Sequence, residues 1–256
     1  MPANRMTADD IRTAKLRGEK IAALTAYDYP LARLLDESGV DIVLVGDSLG
    51  MVVLGHPDTT HVTMEDMVHH TRAVARGVKR ALIVTDLPIR SYSTAVAAVE
   101  NSKRLISAGA GAVKLEGGVL QREKIAAIAA AGIPVMGHVG MLPQSVREEG
   151  GYKIKGRTPE QAGALLADAL AIEAAGGFSV VLELVDSGVA EKITHRISIP
   201  TIGIGSGAQC DGQVLVTHDL IGLFPWFRPK HAAARANVAE AIRSAADAFI
   251  RGTKQA

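Results

Sequence analysis

Asp47, Asp86 and Glu116 each stand at or just past the end of a short apolar run, and Lys114 lies two residues before Glu116. If those runs are neighbouring strands, three carboxylates meet at one edge. Without a cation they repel one another, and at least one stays protonated. A hard divalent ion relieves that repulsion, and oxygen ligands without a His/Cys cluster favour Mg2+ over Zn2+. Magnesium also keeps positions open for water or for a substrate such as a chelating keto acid. The competing reading is a set of carboxylates paired with Arg and Lys. On a strand Lys114 and Glu116 point the same way, so the lysine is placed to hold an anionic substrate, to stabilise an enolate oxygen, or simply to pair with a carboxylate.

Two further residues have the types needed for proton chemistry. His138 follows Gly137 and is either a donor to a substrate oxygen or a satisfied core histidine. Glu183 sits in V-V-L-E-L-V, an otherwise apolar run. A carboxylate buried there would have a raised pKa suited to a general base; a loop-facing, hydrogen-bonded glutamate is the alternative.

Such residues act together only if the elements bring them to one edge. Short Val/Ile/Leu runs alternate along the chain with longer Ala-rich segments, the pattern of strands buried on both faces of a parallel sheet and the helices that cover them. Strands are expected at 21–26, 41–45, 81–85, 112–115, 134–137, 179–184, 200–204 and 213–216. Helices are expected at 30–37, 64–76, 94–108, 122–131, 159–174, 189–196 and 232–250. Eight strands with interleaved helices favour a closed (β/α)8 TIM barrel. A doubly wound sheet is the rival, but no G-x-G-x-x-G follows the first strand. No linker or charge-segregated half interrupts the chain, so one domain over 1–256 is the simplest organisation.

The chemistry of such a barrel sits at the C-terminal ends of its strands. In order these ends carry Tyr27 and Asp28; Gly46, Asp47 and Ser48; Asp86; Lys114 and Glu116; His138; and Glu183. Strand seven runs into Gly203, Gly205 and Gly207, and strand eight ends near His218 and Asp219. Any one of these groups fits helix capping or solvation. Five successive strands delivering ionisable groups to one rim is the signal. The long segments 51–63 and 141–158, after strands two and five, are candidate covers for that rim.

Composition narrows the function classes. Apolar residues make up 48% of the chain and charged residues 21%, enough for a large core. The formal net charge of +1 argues against a nucleic-acid binder acting through a basic field, and one Trp, four Tyr and four Phe leave little for base stacking. The single cysteine, Cys210, excludes an intrachain disulfide framework and fits a reducing compartment. Residues 1–10 lack the apolar run of a leader, and the most apolar stretch, near 125–135, is interrupted by Gly132 and Pro134 and is too short to span a bilayer. The expectation is a cytoplasmic protein with no nucleic-acid and no membrane partner.

Other features are weaker. The glycines of G-I-G-S-G (203–207) either let backbone amides approach a ligand or serve tight packing. Cys210 has no evident pairing histidine and reads as structural. His69 and His70 are adjacent and cannot face one ligand from a helix, so a metal site with His61 is not expected.

Taken together, several strings resemble the ketopantoate hydroxymethyltransferase family: L-T-A-Y-D at 24–28, V-G-D-S-L-G-M-V-V-L-G-H at 45–56, D-L-P at 86–88, V-K-L-E-G-G at 113–118, G-H-V-G-M-L-P-Q at 137–144, G-I-G-S-G, and D-G-Q-V-L-V at 211–216. The resemblance covers about residues 5–250. It implies a (β/α)8 barrel of the isocitrate lyase/phosphoenolpyruvate mutase type. It further implies Mg2+-dependent transfer of a hydroxymethyl group from 5,10-methylenetetrahydrofolate to 3-methyl-2-oxobutanoate, giving 2-dehydropantoate on the way to pantothenate and coenzyme A. By motif, Asp47, Asp86 and Glu116 take the metal role, with one ion per subunit. Asp47, Ser48, Asp86 and Lys114 take the keto acid, Glu183 is the proton acceptor and His138 is a pocket histidine. Homo-oligomers, often decamers, are implied as well. Ser206, Cys210 and the segment 224–231 depart from the family pattern, which touches the folate side rather than the metal site. Two rivals stand beside this reading. A superfamily lyase would need a catalytic cysteine on a mobile loop. A non-catalytic scaffold would have no reason to keep buried charges.

Overall fold

The computed structural model describes residues 5–227, 229 and 232–255; of the departing segment 224–231, Arg228, Lys230 and His231 lie outside them. The chain divides into two compact units, Met1–Val214 and Leu215–Ala256.

The eight strands are β1 (Ile21–Thr25), β2 (Ile42–Val45), β3 (Leu82–Asp86), β4 (Ala112–Lys114), β5 (Val135–Gly140), β6 (Ser179–Glu183), β7 (Thr201–Ile204) and β8 (Gly212–Leu215). They close into one barrel in sequence order, and the successive pairs are parallel. The helices are α1 (Ala8–Leu16), α2 (Tyr29–Glu37), α3 (Leu49–Val52), α4 (Met64–Gly77), α5 (Ala95–Ser107), α6 (Arg122–Ala130), α7 (Pro159–Ala174), α8 (Ser187–Arg196), α9 (Thr217–Leu220) and α10 (Val238–Gln255). The expected (β/α)8 barrel is the observed one.

The local reasons are visible in the caps. Thr63 and Asp66 form a reciprocal capping box at the start of α4, and Thr158 caps α7 ahead of Pro159. Thr7 and Asp10 form a second box that starts α1, a helix absent from the expectations. In the second unit the last helix begins at Val238 rather than 232. Asn237 accepts a hydrogen bond from the Glu240 amide at 3.4 Å and fixes the start there.

Side chains alternate faces along each strand. Ile42, Leu44, Leu82, Val84, Ala112 and Met136 fill the barrel interior, while Val43, Val45, Ile83, Val113 and Val135 belong to the larger core that includes helix residues such as Val74 and Ile172. At Gly137 a Cβ would lie 2.5 Å from Ile172 of α7, so only glycine lets that helix seat against β5. At the foot of the barrel the Asp36 carboxylate accepts hydrogen bonds from the amides of Lys79, Arg80 and Ala81, which lead into β3. Burial alone would raise this carboxyl, but the amides hold it below its usual range.

Candidate active site

Continuing the alternation upward places the chemistry. On β3, Leu82 and Val84 face inward, and so does Asp86. On β4, Ala112 is followed inward by Lys114; on β5, Met136 by His138; on β6, Val181 by Glu183. The apolar interior layers therefore end in a layer of ionisable groups at the C-terminal rim. Asp47 and Ser48 follow β2 at the same rim, and Glu116 lies just past β4, which ends at Lys114 rather than 115. All of these except Ser48 are buried, from His138 at 2% exposure to Glu183 at 9%.

Their contacts form one network. Asp86 is in register with Lys114, whose ammonium donates to Asp86 Oδ1 at 2.7 Å, and the Asp47 amide donates to Asp86 Oδ2 at 3.0 Å. His138 Nε2 lies 3.3 Å from Glu183 Oε2, and Nδ1 lies 3.6 Å from Glu116 Oε1. Neither ring nitrogen, nor Glu116 Oε1, meets hydrogen-bond geometry with a partner among the described residues. Ser48 Oγ shares a 2.8 Å hydrogen bond with the hydroxyl of buried Tyr27.

The electrostatics follow from burial. Desolvation, then repulsion by Asp86, pushes the Asp47 carboxyl up to about 7. Desolvation, then Asp47, raises Glu116 well above the usual carboxylate range. Burial would strip the proton from Lys114, but Asp86, Asp47 and Glu116 hold it in place. Burial, then Lys114, keeps His138 neutral. Among the described residues, four buried acids at this rim, Asp47, Asp86, Glu116 and Glu183, are accompanied by one buried ammonium, that of Lys114.

A divalent cation fits that excess of acid and the unpartnered Glu116 oxygen. Among the described residues, though, no three His, Cys, Asp or Glu side chains are gathered into a group that could hold a metal by itself. Asp47, Asp86 and Glu116 share the rim without forming a ready three-ligand cage, since Asp86 is engaged by Lys114 and Glu116 Oε2 accepts the Gln144 amide at 3.1 Å.

Two residues with no role in the sequence reading stand in this network. Gln144 donates through Nε2 to Asp47 Oδ2 at 2.8 Å and to the Leu87 carbonyl at 3.0 Å, and Tyr92 donates to its Oε1. Gln144 closes the G-H-V-G-M-L-P-Q string, but nothing in that string says that it returns over β2. The two long loops meet as well: Arg147 donates to Asp58 at 2.6 Å.

Other features resolve towards structure. Gly203 approaches Cys210, where a Cβ would lie 3.0 Å from Sγ, so the glycine serves packing. Cys210 is buried and free. Ser206 donates to the Leu182 carbonyl at 2.7 Å and accepts from the Val185 amide at 2.9 Å, bracing the turn after Glu183 in which Leu184 adopts a positive φ of 47°. His218 and Asp219 belong to α9 of the second unit. His70 Nδ1 contacts the Tyr27 carbonyl at 2.6 Å and is not part of a metal group.

The family model for ketopantoate hydroxymethyltransferase matches residues 5–256. The chain is 53% identical to the 3-methyl-2-oxobutanoate hydroxymethyltransferase of Acetivibrio thermocellus, over 98% of this chain and 89% of that protein. It is also 53% identical to the protein of the same name from Ignicoccus hospitalis, over 97% and 96%. Among solved structures it resembles a phosphonopyruvate hydrolase complexed with oxalate and Mg++ (TM-score 0.63, 16% identity, 98% of this chain and 99% of that one). It also resembles 2,3-dimethylmalate lyase, a PEP mutase/isocitrate lyase superfamily member (TM-score 0.64, 17% identity, 95% and 87%). These structural likenesses speak to the fold.

Proposed function

The chain belongs to the ketopantoate hydroxymethyltransferase family, and from that premise we propose that its barrel mouth transfers a hydroxymethyl group from 5,10-methylenetetrahydrofolate to 3-methyl-2-oxobutanoate, giving 2-dehydropantoate for pantothenate and coenzyme A synthesis. The observation that carries the residue assignment is the pairing of a buried base, Glu183, with a buried cationic and carboxylate cluster, Lys114, Asp86 and Asp47, on one rim.

Asp47 and Asp86 would hold one Mg2+ per subunit, with Glu116 beside them. When bound, the ion supplies Lewis-acid stabilisation of the negative charge that develops on the 2-oxo oxygen. Lys114 adds a fixed positive charge and, with Ser48, Asp47 and Asp86, orients the keto acid. Glu183 takes the proton from C3, and the C–H electron pair becomes the enolate. That carbon then attacks the methylene carbon of the ring-opened folate iminium, whose C=N electron pair moves onto nitrogen; water then replaces that nitrogen on the carbon, supplying the hydroxyl oxygen while its proton leaves with tetrahydrofolate. Neutral His138, 3.3 Å from Glu183, offers a ring N–H to a substrate oxygen without adding charge. Buried Cys210 is no candidate nucleophile, which weighs against the lyase rival.

We take residues 1–256 as one functional barrel domain, since the family match runs through both units. A homo-oligomer, as large as a decamer, accords with the apolar side chains Ile242, Phe249 and Ile250 left exposed on α10. Among the described residues no helix is long and apolar enough to cross a membrane. A cytoplasmic setting accords with a single unpaired thiol.

The test is exchange of the C3 proton of 3-methyl-2-oxobutanoate with D2O in the absence of folate. Exchange by the wild type that depends on Mg2+ and disappears in Glu183→Gln supports the assignment; unchanged exchange in that variant removes Glu183 from the role of base.

A further inference from the structure

We propose that Gln144, oriented by Tyr92, is a positioning residue that sets the Asp47 carboxylate and the Glu116 carboxylate for the cation. The proposal rests on the reading of Asp47 as a metal-holding carboxylate given above.

The geometry leaves the amide of Gln144 only one orientation. Its Nε2 stands between Asp47 Oδ2 at 2.8 Å and the Leu87 carbonyl at 3.0 Å, and a backbone carbonyl can only accept. Flipped, the amide would aim its oxygen at the Leu87 carbonyl with no proton between them. Its Oε1 then faces the Tyr92 hydroxyl, which must donate. The amide nitrogen of the same residue donates to Glu116 Oε2 at 3.1 Å. One residue thus grips two acids from β2 and β4, the staves on either side of β3, through its side chain and its backbone.

Tyr92 is itself held. Asn101 of α5 donates to the Ser91 carbonyl at 2.7 Å, and the Ser91 hydroxyl donates to the Pro88 carbonyl at 2.6 Å, which fixes the segment after β3. The chain of contacts therefore runs from a covering helix to the rim. Gln144 is only 6% exposed, so each bond is made out of reach of competing water. A neutral amide suits this task. It engages one carboxylate oxygen without cancelling the charge that attracts a cation, whereas Lys or Arg there would compete with the metal.

The probe is Mn2+ binding to the metal-free full chain, read by electron paramagnetic resonance, alongside the split between KM and kcat for C3-proton exchange. Gln144→Ala should weaken Mn2+ binding by about tenfold or more, the scale of a lost hydrogen bond to a charged group. Tyr92→Phe, which keeps the ring and removes only the donor, should weaken it by about three- to tenfold. In Tyr92→Phe the KM for keto acid should rise while kcat at saturating metal stays within about threefold, because Glu183 is untouched. Asp47→Asn separates the two layers of the argument. If it weakens Mn2+ binding while Gln144→Ala and Tyr92→Phe stay within twofold of wild type, the role given to Gln144 is overturned and the site reading stands. If Asp47→Asn also has no effect, both fall. If Gln144→Ala does not fold, the near-isosteric Tyr92→Phe decides: tighter or unchanged Mn2+ binding overturns the proposal.

Discussion

Asp86 and Lys114 stand opposite each other in the β3–β4 register, and the ammonium donates to the carboxylate across 2.7 Å with both side chains almost fully enclosed. A buried pair of this kind is costly to break from one side, because the remaining charge has no water to turn to.

Lys114→Met should therefore destabilise the metal-free protein by about 3 kcal/mol. Urea unfolding at pH 7 in EDTA measures this. The double variant Lys114→Met/Asp86→Asn should lose clearly less than the sum of the two single changes. Additive losses would mean that the two groups are energetically independent.

Removing the cation should act on substrate binding, not on the fold of the barrel. Binding of 3-methyl-2-oxobutanoate, followed by calorimetry, should vanish in EDTA and return with Mg2+, and Asp47→Ala and Asp86→Ala should each weaken it at least tenfold. Binding that ignores EDTA contradicts the metal reading of the acid cluster.

The link between the two long loops gives a pH signature. Burial alone would raise the Asp58 carboxyl, but the Thr60 hydroxyl and amide and the Arg147 guanidinium bring it down to about 2. The unfolded carboxyl titrates at about 3.9, so the folded state binds this proton less readily. The stabilisation is full above that value and is lost as the pH falls towards about 2. The stability difference between wild type and Asp58→Asn should accordingly shrink below about pH 4, as read from urea midpoints.

At the seam between β5 and α7, Gly137→Ala should cost about 1–3 kcal/mol through overpacking against Ile172. Pairing it with Ile172→Val should recover part of the loss. Full stability of the single variant would show that the seam has slack.

How much of this was legible in the sequence differs by element. The eight strands could be read because a strand enclosed on both faces must be apolar throughout, as in Ile42–Val45. The rim groups could be read because a parallel barrel puts every strand end on one side. Helix α1 has its Thr7/Asp10 capping box written in the sequence, but its sparse apolar pattern gives no helical period to read. The start of α10 lies later than composition suggests, because the Ala-rich stretch before Asn237 has helical propensity but the Asn237 cap sets the first turn. Gln144 and Tyr92 were invisible for a different reason. Neither spacing nor residue type says that two loops from β3 and β5 fold back to share one amide with Asp47.

The three amides gathered by Asp36 lie where the strands begin, at the opposite rim from Glu183. Anchorage and reactivity are thus housed at separate poles of one cylinder. A designer could retune the upper acids for a new electrophile while the lower rivet keeps the staves aligned, and could strengthen the lower rivet without disturbing turnover.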